Sequence, residues 1–163
     1  ISGVTTGSNL TSLSNVIFNH GITHVVWEVT DGSGNKASCT FNVTVTDIQI
    51  PTIIACGANG NQTVQTDVNQ CTYIHSGTAW DATASDNCSE VSLSYTLSGA
   101  TAGTGNSLNN VVFNPGMTLV TWTASDTSGN ISTCSLLFIF TTVEAIFSVQ
   151  VPPSINKSIS SLK

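Results

Sequence analysis

The chain has 163 residues, of which only 7% are charged, and it carries a formal net charge of −6 with no arginine and three lysines, Lys36, Lys157 and Lys163. Binding to nucleic acid or to an anionic membrane depends on clustered cations, so that balance argues against both. Hydrophobic residues make up 40%, too many for a disordered chain, and the longest apolar run, Leu136-Leu137-Phe138-Ile139-Phe140, is strand-sized and far short of a membrane span.

In chain order, Ile1-Ser2-Gly3 shows neither a basic start nor an apolar stretch, so no signal peptide is read there. The first strong element is a hairpin. Residues 24–30 and 36–46 flank Asp31-Gly32-Ser33-Gly34-Asn35. Val25, Trp27 and Val29 alternate with His24, Val26 and Glu28, and on the return strand Cys39, Phe41, Val43 and Val45 share one face. That period of two predicts a half-buried antiparallel pair. A linker follows at Asp47-Ile48-Gln49-Ile50-Pro51, then Cys56. Short strands are expected at 91–97 and 111–113, with Asn114-Pro115-Gly116 as a turn in which proline presets φ and glycine takes a positive value. A second hairpin, 119–125 and 131–140, closes around Asp126-Thr127-Ser128-Gly129-Asn130.

The two hairpins are copies. Residues 12–41 align without a gap on residues 107–136, placing Phe18 on Phe113, Gly21 on Gly116, Trp27 on Trp122, Asp31 on Asp126, Asn35 on Asn130 and Cys39 on Cys134. No helical period persists, so the expected fold is all-β, with tandem immunoglobulin-like antiparallel sandwich modules. The expected division is 1–47 as the C-terminal half of one module, 48–142 as a complete one, and 143–163 as a tail that supplies an extra or exchanged strand. On this reading the natural polypeptide extends upstream or was processed there.

These residues resemble the hyalin repeat (HYR) family. The resemblance rests on the Gly-x-Thr-x-Val-x-Trp run at 116–122, the Asp-x-Ser-Gly-Asn turn at 126–130, Cys134 behind it, and the Asp-x-x-x-Pro linker with Cys56. Ala84-Ser85-Asp86-Asn87-Cys88 and Gln70-Cys71-Thr72-Tyr73 look like the bacterial form, found in long arrays on surface adhesins. Gly57 departs from it, since the family usually has proline after that cysteine. The resemblance implies an extracellular, cell-surface module that is structural or adhesive rather than catalytic.

Five cysteines without a C-x-x-C pair argue for disulfides over zinc. Four belong to the complete unit and allow three connectivities. Pairing Cys56 with Cys134 would join the outer strands, and Cys71 with Cys88 would clip a loop; this pattern is favoured. Cys39, the repeat-mate of Cys134, is expected to have no partner within the chain.

No catalytic residue, cofactor or metal site is expected. The Asp31 and Asp126 turns each offer one carboxylate, whereas calcium takes six to eight oxygens. An interdomain site using Asp47 with Asp81 or Asp86 is not required by the spacing. Trp27 and Trp122 read as core. Trp80 is a candidate contact residue, as are Leu137 and Ile139, which face outward where the first unit has Asn42 and Thr44. Apolar side chains there imply a cover, either the 143–151 segment or a neighbouring chain.

The expected partners are adjacent repeats or identical subunits in a fibre, with a surface glycan or protein as ligand. The sharper expectation is a filament subunit assembled by β-strand complementation. The competing expectation is a glycan-binding accessory module of a secreted multidomain enzyme, with Trp80 as its platform.

Overall fold

The computed structural model describes residues 1–142. Every regular element among them is a strand, as the periodicity predicts: β1 (Ser2–Gly3), β2 (Gly21–Thr30), β3 (Lys36–Val45), β4 (Thr52–Ala55), β5 (Gln62–Gln65), β6 (Tyr73–Ile74), β7 (Thr83–Ser85), β8 (Ser92–Gly99), β9 (Gly103–Gly105), β10 (Val112–Phe113), β11 (Gly116–Ser125) and β12 (Ile131–Thr141).

β1–β3 form a small sheet with β2 at its centre. Residues 48–142 build one five-stranded sheet, in the order β5-β12-β11-β8-β9, and two short ladders, β4-β7 and β10-β6. Between these layers lies one core, with Leu108, Phe113, Val120, Trp122, Phe138 and Phe140 almost wholly buried.

The internal repeat is reproduced to the level of single hydrogen bonds. Ser2 and Gly3 pair with His24 and Thr23 as Ser98 and Gly99 pair with Leu119 and Thr118. The Asn19 amide donates to Thr5 Oγ1, and its side chain to the Val4 carbonyl; Asn114 does the same to Thr101 and Ala100. Gly3 and Gly99 take φ near +105° in both copies (105° and 104°). A Cβ at either would meet a carbonyl oxygen of the next strand, Ile22 or Met117, which is why glycine stands at both corners.

The two hairpin turns are also alike. Asp126 Oδ1 accepts from the amides of Ser128 and Asn130 at 2.9 and 2.8 Å, and Oδ2 from the Asn130 side chain at 2.8 Å. Asp31 accepts the same three bonds from Ser33 and Asn35. Burial raises the Asp126 carboxyl, but the hydrogen bonds from Asn130, Ser128 and Gly129 together outweigh it and hold the group below the ordinary carboxylate range. With both oxygens spent inside the turn, these carboxylates act as turn formers.

One pairing departs from the antiparallel expectation: β5 runs parallel to β12, with Gln62 opposite Phe138 and Gln65 opposite Thr141. After β4 pairs with β7 in one layer, the chain crosses at Gly57–Gly60 and continues in the same direction along β12. Gly57 has a φ of 97°, and a Cβ there would run into the Trp80 carbonyl. Proline, fixed near −65°, cannot occupy that conformation, which accounts for the departure seen at this position.

Candidate functional site

The same hairpin occurs in two environments. In residues 48–142, Trp122 is fully buried, packed edge-on against Tyr95 with ring centroids 5.4 Å apart. Its cross-strand neighbour Cys134 is bonded to Cys56, as the favoured connectivity has it, and β5 pairs with the outer edge of β12 at Phe138–Thr141. In the first unit, Trp27 is half-buried and faces Cys39 across β2 and β3. Cys39 is an exposed thiol, Phe41 is 44% exposed, and β3 has no strand on its outer edge among the described residues. Trp27, Val29, Ala37 and Cys39 line a shallow, mostly apolar depression on that face.

The structure corrects the expected Cys71–Cys88 bond, since both are exposed free thiols. They lie at opposite ends of the sandwich. Cys71 sits in the loop closed by the Asp67 amide bonding the Thr72 carbonyl, beside the Thr66–Thr141 contact at the end of β12. Cys88 lies beside Asp47 at the other end, where the Asn130 side chain reaches the Asp47 carbonyl. The ten residues of β11 that separate these ends span about 30 Å at strand rise, against the roughly 7 Å limit between bonded Cα atoms.

Trp80 is not an exposed platform. It is half-buried in an aromatic cluster, stacked on His75 at 3.9 Å and 3° from parallel, with Phe138 at 4.6 Å and Tyr73 at 5.7 Å. The inward turn of 73–82 that makes it core could not be read from a segment with no clear alternation. Leu137 and Ile139 are half-buried, cross-strand from Leu119 and Met117, which are 41% and 61% exposed. The four form an apolar outer face on β11 and β12. The 143–151 segment expected to cover it lies outside the described residues.

His75, which the sequence did not single out, is buried with neither ring nitrogen bonded among the described residues. Burial holds its pKa below the ordinary imidazole value, although the Asp81 carboxylate pulls the other way. The unfolded chain therefore takes up this proton first, and stability falls as pH drops through about 6.5. Thermal unfolding is expected at a lower temperature at pH 5 than at pH 7.5, and His75→Phe should shrink that difference. An unchanged pH dependence in the variant would assign it to other groups.

The fold is thus a β-sandwich built around a repeated tryptophan–cysteine hairpin. A family model for the HYR domain matches residues 2–45, the open copy of that hairpin, in agreement with the resemblance carried by the motifs. The HYR domain is an extracellular adhesion-type repeat. The register and hydrogen bonds shared by the two copies extend the likeness to the second hairpin. No curated protein matches the chain.

Proposed function

We propose that this chain is a non-catalytic structural and adhesive segment of an extracellular fibre or large surface adhesin, of the kind carried by bacterial cells. In this reading the open hairpin of residues 1–47 receives a β-strand from another copy of the chain. One observation carries it: two nearly identical hairpins differ in that β12 has β5 on its outer edge and β3 has nothing described there. An unpaired edge beside an apolar face is the arrangement that strand addition closes. A donor placed as β5 is on Phe138–Thr141 would pair along residues 43–46, and its continuation toward the hairpin turn would cover Phe41 and Cys39. The stacked and disulfide-bonded core of 48–142 suits a stalk that must outlast proteolysis.

The accessory-module reading loses its main support with Trp80 held among His75, Tyr73 and Phe138.

Sedimentation velocity over a concentration series, with reductant to block Cys39 cross-linking, tests the proposal. Reversible association that Phe41→Glu abolishes is expected. A single monomeric species at every concentration contradicts complementation by a second copy.

A further inference from the structure

We propose that the junction between the two units binds a calcium ion, with Asp47 Oδ2 and an Asp86 carboxylate oxygen as its charged ligands. Asp47 ends the first unit, and Asp86 follows β7 in the second. A ligand atom from each, together with Cys88 Sγ, lies within 4.8 Å of the others. That is about twice a calcium–oxygen bond of 2.3–2.6 Å, so one ion can reach them without moving the backbone.

The second observation is the state of Asp47. It is 7% exposed; Oδ1 accepts from the Gln49 amide at 3.0 Å, but Oδ2 is buried with no partner among the described residues. A carboxylate oxygen withdrawn from water and left unbonded is costly unless a cation meets it. The described residues offer no lysine or arginine for it. Lys36, the one lysine or arginine among the described residues, bonds Glu28 at 2.6 Å.

Asp86 is held for the same task. Its Oδ1 accepts from the amides of Cys88 and Ser89 at 2.8 and 3.2 Å, which fixes the side chain and leaves Oδ2 to a ligand. Gln49, Thr52, Ser85 and Asn87 line the adjoining cleft and can complete the shell with neutral oxygens or through water. The two carboxylates and the cleft oxygens are hard donors, which favours calcium over zinc, and Cys88 Sγ is the one soft atom in the cluster. Cys88 stands beside it as an exposed thiol, its pKa raised by its surroundings and by Asp47, Asp86 and Asp126. Calcium here would tie the linker to the β7–β8 loop and stiffen the junction, an effect that does not depend on strand complementation.

Isothermal titration of the full chain with CaCl2, after chelator treatment, tests this. One ion per chain is expected, with affinity in the range of extracellular modules, roughly 0.1–1 mM. Asp47→Asn and Asp86→Asn should each weaken binding about tenfold or more, because ligand charge sets calcium affinity, while Cys88→Ser leaves it unchanged. Circular dichroism in EDTA checks that both variants remain folded. No calcium binding at 10 mM (about ten times the upper limit above) would overturn the proposal, as would binding undiminished in both aspartate variants. So would zinc binding that Cys88→Ser abolishes while calcium produces no heat.

Discussion

The Cys56→Ala/Cys134→Ala double variant is expected to lose about 4.5 kcal/mol of unfolding free energy, the loop-closure value for a bond spanning 78 residues. The span matters because the bond links the start of the complete unit to its last strand, so the unfolded chain loses most of the freedom it would otherwise have. Small domains have about 5–15 kcal/mol in total, so this one change removes about a third or more of that stability and leaves a unit at the lower end of the range close to unfolding. Alanine avoids placing a new hydroxyl at these half-buried positions. The internal control is Cys71→Ser/Cys88→Ser. Both thiols are exposed and unbonded, and their replacement should change stability by no more than about 0.5 kcal/mol, as for surface sites. Urea unfolding without reductant measures both. A large loss in the control would mean that Cys71 and Cys88 are bonded after all.

Trp122→Ala should cost about 3–5 kcal/mol, the usual penalty for emptying a large aromatic site in a core. Trp122 is fully buried, wedged between the sheets against Tyr95 and close to Gly57, so the cavity has no room to collapse. The equivalent change in the first unit, Trp27→Ala, should cost about 1 kcal/mol or less in the isolated chain, because Trp27 is half in water already. The contrast is the informative quantity. Equal losses would mean that the first hairpin is closed in solution as completely as the second.

What could be read in advance follows from where the information is stored. Both hairpins, their turns and the burial of Trp122 are encoded by local alternation and by a repeat that shows the same residues twice, and the Cys56–Cys134 bond follows from the two cysteines' places at the start and on the last strand of the unit. Cys71 and Cys88 misled because they are close in sequence while the strands between them, β6 and β7, carry the chain along the length of the sandwich. The parallel placement of β5 depends on a crossover at Gly57–Gly60, and no periodicity reports a crossover. Trp80 belongs to a segment whose side chains converge from several strands, so its burial is a tertiary fact. The Asp47–Asp86 approach joins a linker to a distant loop. The sequence named both residues, but only the fold brings them together and leaves Asp47 Oδ2 without a partner.

The open hairpin is the centre of the functional reading, and hydrogen–deuterium exchange at low and high protein concentration tests it most directly. Amides of β3 pointing away from β2 should exchange fast in dilute protein and become protected at high concentration, while those of β12 that pair with β5, within Phe138–Thr141, stay protected throughout. Rapid exchange along the outer edge of β3 at every concentration would contradict closure by a second copy.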